Sequence, residues 1–252
     1  MNHFIELAKG SDGSIYLLIH TGSRNLGVSV CNYHQTLVKN DISSEIKDII
    51  EKLKAVNRHS EIESTVKKLK AENQYSELDG ISGEDYHNYL NDMLIVQTYA
   101  DINRLAIAES ILTNYYGLSI EDHENFNTMH NYIGTDNILR KGAIAAYKGD
   151  KCLIPLNMRD GSLICIGKGN KDWNYSAPHG AGRIMSRNEA KRKVDLADFK
   201  ETMKDVYSTC VNESTLDESP FAYKSMNDII PIIKETVDVI ERIRPIYNFK
   251  AN

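Results

Sequence analysis

The 252-residue sequence carries 30 lysines and arginines against 35 aspartates and glutamates, and its formal net charge is −5 at pH 7. Hydrophobic residues make up 41% and charged residues 26% of the chain, which is ordinary for a globular protein and excludes a chain that is disordered throughout. The best apolar run, residues 15–19, is far shorter than the roughly 20 residues of a transmembrane helix.

Two further features predict a cytoplasmic location. The N-terminus lacks the basic-then-apolar pattern of a secretory signal. The four cysteines form no C-x-x-C pair, and a chain of this size needs no dense disulfide framework. The acidic charge balance argues against broad coating of nucleic acid, although it allows a local basic site.

The first forty residues predict strand and turn: a β-forming apolar run at residues 14–20 is followed by a glycine-punctuated loop at 21–27. From Ser43 the period changes to that of a helix, with Ser43 or Ser44 as the N-cap. The continuation to about residue 73 is so charged that only a narrow apolar stripe remains. We therefore expect a solvated helical insert at about residues 43–80.

The rest of the chain predicts alternating helices and short strands. The expected helices cover residues 84–116 with Gly117 as a stop signal, a segment from near Gly182 to 193, and residues 226–243. The expected strands are residues 143–147, 151–155, 162–166 and 246–249. Asn103-Arg104 interrupts the apolar face of the first of these helices, which indicates either a bonded pair or a surface pair. The predicted class is α+β, as one domain over residues 1–252.

Histidines carry the first chemical signal. His3, His20 and His130 lie at strand or loop ends, where three imidazoles fit a divalent transition metal such as Zn, Mn, Fe or Ni. Taken singly, each is better explained as a structural histidine than as a ligand, and their long separations in sequence give no spacing evidence.

The strongest local signal is His179-Gly180-Ala181-Gly182, followed by Arg183 and Arg187. Two glycines let backbone N–H groups approach a ligand, a helix N-terminus favours anions, and the arginines add positive charge. This pattern predicts a phosphate cradle with a nucleophilic or acid/base imidazole, although a glycine-capped helix also explains it. The sequence has no G-x-S-x-G, G-x-x-x-x-G-K-[ST] or H-E-x-x-H motif, which excludes a triad hydrolase of that type, a P-loop NTPase and a zincin protease.

Several stretches together resemble, in chain order, the signatures of the RtcB family of RNA ligases. The stretches are Asn2-His3-Phe4-Ile5-Glu6, His20-Thr21-Gly22-Ser23-Arg24, residues 100–104, Arg140-Lys141-Gly142-Ala143, residues 179–187, residues 218–224 and residues 244–250. The resemblance covers nearly the whole chain apart from the helical insert.

The resemblance implies a ligase that depends on GTP and Mn²⁺ and joins an RNA 3′-phosphate or 2′,3′-cyclic phosphate end to a 5′-hydroxyl end, as in tRNA splicing and RNA repair. It makes His179 the catalytic residue, which attacks the α-phosphorus of GTP and carries GMP. A 3′-phosphate has no leaving group, and guanylylation supplies one. The metal would offset charge on the phosphoryl oxygens.

Matching positions also imply the ligand sets. The metal ligands would be His3, His20 and His130. The residues that contact the guanine nucleotide would be Asn2, His3, Phe4, Ile5, Glu6, His130, Asn131, Pro155, Leu156, Asn157, Met158, Ser162, His179, Gly180, Ala181, Gly182, Tyr223 and Lys250. The family has Pro-Gly-Ser-Met where this sequence has Pro-Leu-Asn-Met, so backbone contacts are the ones expected to survive there.

One departure from the family pattern concerns the metal. The family carries an Asp and a Cys ligand upstream of N-H-F-I-E, whereas this sequence starts at Met1. We expect weakened metal binding, in either a fragment of a longer protein or a degenerate homologue. The alternatives to an active ligase are an impaired RNA-end or GTP-binding homologue and a metal-dependent cyclic phosphodiesterase. RNA contact is expected from a basic stripe formed by Arg183, Arg187, Lys191, Arg192 and Lys193, which otherwise is a solvated helix face.

Overall fold

The computed structural model describes residues 3–72 and 80–250, without the side chains of 38–45 and 70–72. The α-helices are α1 (Arg24–Ala55), α2 (Ile62–Glu72), α3 (Gly83–Ile111), α4 (Arg187–Lys193), α5 (Leu196–Thr202) and α6 (Met226–Ile233). The strands are β1 (Phe4–Lys9), β2 (Ile15–His20), β3 (His130–Ile133), β4 (Leu139–Ala145), β5 (Lys151–Asn157), β6 (Gly161–Gly167), β7 (Ser176–Pro178) and β8 (Val237–Lys250). This mixture confirms the predicted α+β class.

The chain divides into two compact units, one of Met1–Gly22 with Asn103–Asn252 and one of Ser23–Ile102. The strands lie in the first unit. The second unit holds α1, α2 and most of α3, and it contains the region predicted as a helical insert, of which residues 73–79 lie outside the described residues. None of the described helices combines the length and the apolar character that crossing a bilayer would require.

Antiparallel pairing builds two sheets in the first unit. The five-stranded sheet has the order β2-β1-β8-β6-β5, with β8 at its centre. In it, β1 aligns Phe4 with Lys250. The three-stranded sheet has the order β3-β4-β7 and aligns His130 with Ile144 and Ala143 with Pro178. The two sheets therefore bring chain ends and distant motifs side by side.

The main core lies between these sheets and α6. Its members are fully or almost fully buried apolar side chains: Ile144, Ala146, Cys152, Ile154, Leu156, Leu163, Cys165, Ala177, Ala181, Ile229, Ile233 and Val237. Burial alternates along β5, as a strand with one face on a core requires. All four cysteines are free thiols, and three of them are buried.

The predicted C-terminal helix over 226–243 is wrong. Helix α6 ends at Ile233, where the backbone N–H and the hydroxyl of Thr236 both donate to the Ile233 carbonyl, at 2.9 and 3.0 Å. The chain then continues as the 14-residue strand β8. The isoleucines and valines after Ile233 fit either period, and a β-branched run packs well on a sheet. Pairing with β1 and β6, which are distant in sequence, selects the strand.

The predicted start of the first helix is also wrong. Helix α1 begins at Arg24 rather than at Ser43, so the predicted loop at 21–27 and the non-helical reading of residues up to 40 do not hold beyond Ser23. Gly27, which suggested a loop, lies inside α1. A Cβ at this glycine would come within 2.1 Å of Ser23 Oγ, four residues earlier, and within 3.3 Å of Val96 Cγ1 on α3, so the glycine leaves room for both side chains.

Other element predictions are confirmed. Helix α3 runs from Gly83 to Ile111 and continues through one π-helical turn to Tyr116, where Gly117 adopts the left-handed conformation with φ +63°. Strands β2, β5 and β6 lie where the apolar runs predict them, and the predicted strand 246–249 lies within β8. Strand β4 starts at Leu139 and shares only residues 143–145 with the strand predicted at 143–147. Of the two alternatives left open for Asn103 and Arg104, the structure supports the bonded one: their side chains donate to the carbonyls of Gly22 and Thr21 at 3.4 and 2.9 Å.

Candidate active site

Three of the predicted site histidines form a row. The ring centroids of His20 and His130 are 5.4 Å apart, and those of His130 and His179 are 4.9 Å apart. Phe4 stacks on the far side of His20 at 5.1 Å. The end of β2, the start of β3 and the residue after β7 supply the three imidazoles, so the sheet topology brings them together from distant positions.

Burial disfavours the protonated form of two of these imidazoles, His20 and His130. Burial, and then the neighbouring imidazoles of His130 and His3, lowers the pKa of His20 to about 4. Burial, and then His179, also lowers the pKa of His130. A neutral imidazole with a free lone pair is the form that ligates a metal. The lowered pKa values of His20 and His130 therefore suit the metal role that the resemblance implies for these two residues.

The donor geometry meets this role only in part. The Nδ1 of His130 is buried and has no hydrogen-bond partner among the described residues, and a metal ion would satisfy such a nitrogen. In the part of the chain that the structure describes, however, no group of three or more His, Cys, Asp or Glu side chains is arranged to hold an ion. The imidazoles fit a transition metal by donor type, and a complete site would need a further ligand or a shift of these rings.

The ring of His179 is oriented by a backbone carbonyl. Its Nδ1 lies 2.6 Å from the carbonyl oxygen of Gly142, which also accepts the His179 backbone N–H at 3.3 Å. A carbonyl oxygen can only accept, so the proton of the neutral ring lies on Nδ1. Nε2 is therefore the nitrogen with the available lone pair, which is the state that a nucleophile requires.

Gly142 is itself held in place by Asn131. The Gly142 N–H donates to Asn131 Oδ1 at 2.7 Å, and Gly142 has φ +68°. That conformation favours glycine. Sequence reasoning gave Gly142 no role beyond its place in the motif at residues 140–143, because it lies just before the predicted strand 143–147. It lies inside the observed β4, where a glycine usually marks a bulge or a close backbone approach. Asn131, predicted to contact the nucleotide, uses its side-chain oxygen for this peptide.

The segment after His179 approaches β5 closely. The Ala181 N–H donates to the Pro155 carbonyl at 3.1 Å, and a Cβ at Gly180 would lie 3.1 Å from the same oxygen. Gly182 has φ +75°. The glycines thus serve backbone packing at positions predicted to contact a nucleotide.

The predicted helix start near Gly182 is wrong. Residues 183–185 run alongside Ala222 and Tyr223, with the Ile184 N–H donating to the Ala222 carbonyl at 2.9 Å. Helix α4 begins only at Arg187, where Ser186 caps it through the N–H of Glu189. The predicted helix N-terminus directly behind His179 is therefore not present.

A buried polar cluster lies where β1 meets the end of β8. Glu6 is 3% exposed and accepts from Asn248 Nδ2 at 2.7 Å, and burial raises the Glu6 pKa to about 7. Lys250 is 7% exposed and donates to Glu218 Oε2 at 2.9 Å. The hydroxyl of Tyr223 donates to the same oxygen at 2.7 Å. The structure thus connects Tyr223 to Lys250, and the β1–β8 pairing places Phe4, Ile5 and Glu6 along the same strand pair.

The comparison with known families concerns nearly the entire chain. The family model described as tRNA-splicing ligase RtcB matches residues 1–251. The chain belongs to the RtcB family. The resemblance stated from the motifs is thereby confirmed.

Curated RtcB relatives are longer than this chain. The RNA-splicing ligase RtcB of Escherichia coli K12 is 27% identical over 266 residues, which cover 99% of this chain and 59% of the relative. The tRNA-splicing ligases RtcB of Aeropyrum pernix and Archaeoglobus fulgidus are 28% and 25% identical, covering 93% of this chain and 52% of each relative. The chain spans between half and three-fifths of the length of these relatives.

At residues 155–158, where this sequence departs from the RtcB motif, the side chains serve the fold. Pro155 pairs with the buried Ser162 across β5 and β6. Leu156 and Met158 bury their side chains in two core clusters, and Asn157 Oδ1 accepts the N–H groups of residues 159 and 160. In this segment, backbone groups rather than side chains are therefore available to contact a ligand. Asn2 lies outside the described residues.

The basic stripe is largely paired within the chain. Arg187 lies 2.5 Å from both Asp217 and Glu218, and Lys191 lies 3.7 Å from Asp217. Arg183 donates to Tyr223 Oη at 3.1 Å and also to the Asp217 carbonyl. Two carboxylates therefore offset part of the positive charge predicted to contact RNA, and this surface has less free positive charge than the sequence predicts.

Proposed function

We propose that this chain is a GTP-dependent RNA ligase of the tRNA-splicing and RNA-repair type, acting through a histidine–GMP intermediate at His179. Its substrates are an RNA end with a 3′-phosphate, or with a 2′,3′-cyclic phosphate that water opens, and an end with a 5′-hydroxyl. Membership of the RtcB family supports the RNA ligase class.

The observation that carries the proposal is the hydrogen bond from His179 Nδ1 to the Gly142 carbonyl. With the proton on Nδ1, the Nε2 lone pair attacks the α-phosphorus of GTP. The N–P bond forms while the bond to the bridging oxygen breaks, and pyrophosphate leaves. An oxygen of the RNA 3′-phosphate then takes GMP from Nε2, and the 5′-hydroxyl displaces GMP as the phosphodiester forms.

The chain's own residues supply positioning in this scheme. The Gly142 carbonyl and Asn131 orient the His179 ring. Glu6, Tyr223 and Lys250, which belong to the buried polar cluster where β1 meets the end of β8, would contact the nucleotide. Mn²⁺ would be held by His3, His20 and His130, and it would offset negative charge on the phosphoryl oxygens.

The test is covalent labelling by α-³²P-GTP in the presence of MnCl₂. We expect label that is labile to acid and stable to alkali, as a phosphoramidate is, and that is lost in His179→Ala. His59→Ala, an exposed histidine in the helical unit, is the matched control and should label like the wild type. Absence of label across a full titration of the metal would refute the proposed mechanism.

A second candidate is a homologue that binds GTP or RNA ends without turnover. The observation that favours it is the incomplete metal geometry among the described residues. This candidate predicts GTP binding by calorimetry with no covalent label, and little metal retained after dialysis.

A further inference from the structure

One buried carboxylate joins two of the residues proposed to contact the nucleotide. Glu218 is 6% exposed, and its Oε2 accepts from both Lys250 Nζ and Tyr223 Oη, at 2.9 and 2.7 Å. Its other oxygen, Oε1, accepts from Arg187 Nη1 at 2.5 Å. A carboxylate that accepts three donors in a buried position is held in a single orientation.

The local sequence fixes the backbone that carries this carboxylate. Glu218 ends a 3₁₀ helix, Glu213–Glu218, whose start is closed by a capping box between Asn212 and Thr215. The next residue, Ser219, is fully buried and begins a second turn. The Glu218 side chain is therefore presented from a backbone with little freedom.

Lys250 has a fixed backbone and a long side chain. Its backbone N–H donates to Cys210 Sγ at 3.2 Å, and β8 pairs it with Phe4. The four-carbon side chain has many rotamers in solution, and ordering it costs conformational entropy. The carboxylate of Glu218 is a contact that can hold the ammonium group at one point of the site.

The charges around Lys250 explain what the carboxylate supplies. Burial lowers the Lys250 pKa, whereas the charge and hydrogen bond of Glu218, and then the charge of Glu6, raise it. Arg187 acts in the opposite sense and lowers it. The pKa of Glu218 itself is lowered, against burial, chiefly by the charge and hydrogen bond of Lys250. The ammonium and the carboxylate therefore keep each other charged.

We propose that Glu218 is a positioning residue that sets the Lys250 ammonium and the Tyr223 hydroxyl in place for the guanine nucleotide. The inference rests on the proposed function, because it assumes that Lys250 and Tyr223 receive the nucleotide. Glu218 would act on the binding of GTP through these two side chains and leave the chemistry at His179 unchanged.

The experiment uses Glu218→Gln, which keeps the shape and removes the charge. Asp217→Asn is the matched control, because Asp217 shares Arg187 with Glu218 while none of its described contacts is to Lys250 or Tyr223. GTP affinity is measured by calorimetry, and KM and kcat for labelling are measured separately. Circular dichroism and thermal melting establish that each variant is folded.

We expect Glu218→Gln to weaken GTP binding and to raise KM by about tenfold, the usual effect of losing a charge-assisted hydrogen bond, with kcat nearly unchanged. The loss should grow as pH rises, since Lys250 without its carboxylate deprotonates more easily. Wild type and Asp217→Asn should vary less with pH. A role confined to folding would not produce this pH slope.

Glu218→Asp keeps the charge and withdraws it by one methylene, so it carries the test if Glu218→Gln does not fold. It should give an intermediate GTP affinity. Wild-type affinity in a folded Glu218→Gln or in Glu218→Asp would overturn the positioning role. A wild-type protein that binds GTP but takes no label would refute the proposed chemistry alone, while the affinities still decide the role of Glu218. A wild-type protein that binds no GTP would overturn both.

Discussion

Substituting Gly142 tests whether its carbonyl activates His179. Gly142 has φ +68°, and an added Cβ would lie 3.6 Å from His179 Cε1, an ordinary contact. Gly142→Ala is therefore strained by its conformation rather than by a clash, at a cost of roughly 1–2 kcal/mol. The backbone can relieve that strain by rotating the peptide, which withdraws the carbonyl from Nδ1.

The expected loss follows from these two terms. A hydrogen bond to a carbonyl contributes about 1 kcal/mol, and residual strain in the productive conformation adds a comparable amount. Since about 1.4 kcal/mol corresponds to a factor of ten in rate, we expect the labelling of His179 by α-³²P-GTP to slow roughly tenfold or more. Nitrogen chemical shifts of the His179 ring should show less of the Nδ1–H tautomer, which reports on the hydrogen bond independently of activity.

Gly117→Ala is the matched control. Gly117 has φ +63° with no atom within 4 Å of an added Cβ, so it carries the same conformational strain away from His179. Both variants should lose a similar amount of stability, about 1 kcal/mol, but only Gly142→Ala should lose labelling. Equal labelling rates in the two variants, or an unchanged tautomer in Gly142→Ala, would refute the role of the carbonyl.

Three further predictions concern stability. The pKa of Glu6 rises from 4.5 to about 7 on folding, so the folded state holds the proton more tightly than the unfolded state. The associated stability, on the order of 3 kcal/mol, is fully present below pH 4.5 and is lost as pH rises through 7. Glu6→Gln should therefore flatten the pH dependence of the free energy of unfolding, measured by urea denaturation. Gly161→Ala places a Cβ 2.0 Å from a β8 carbonyl oxygen and should lower the free energy of unfolding by about 3 kcal/mol or more. Gly149→Ala, also at positive φ but with open space around it, should lower it by about 1 kcal/mol. Equal urea-denaturation midpoints for the two variants would contradict the packing argument. Asp136→Ala removes the carboxylate that pairs with the 1%-exposed Arg140 at 2.8 Å and should cost about 3–5 kcal/mol, which denaturation of that variant against wild type would measure.

Elements whose own residues determine them were predictable from the sequence. Strand β5 lies on the apolar run that predicts it. Helix α3 continues through a π-helical turn to Gly117, whose left-handed conformation favours glycine. The errors lie where distant contacts decide. Residues 237–243 carry apolar side chains at both helical and strand spacing, and pairing with β6 makes them strand, while β1 pairs with the following residues 244–250. Gly27 suggests a loop in the sequence, whereas the structure places it inside α1, next to Ser23 and to Val96 of α3.

In the candidate site, too, some residues could be identified from the sequence and others only from the structure. The histidines could be named from their motifs, and the sheets place three of them in one row. The role of Gly142 could not be named, because it acts through a carbonyl 37 residues before His179 in the chain. The same holds for Glu218, which belongs to a quoted motif but gains its role from Lys250, 32 residues later. Motifs identify side chains, whereas these partners are set by topology.

The packing of the imidazole row bears on the proposed metal site and on the proposed nucleophile through one physical effect. A lone pair is needed both for ligating a cation and for attacking phosphorus, and protonation removes it in either case. Burial together with neighbouring rings keeps His20 and His130 neutral, while the Gly142 carbonyl decides which nitrogen of neutral His179 holds its lone pair. A charged residue placed in this row would therefore act on both functions, and a substitution that affects only one must act through geometry.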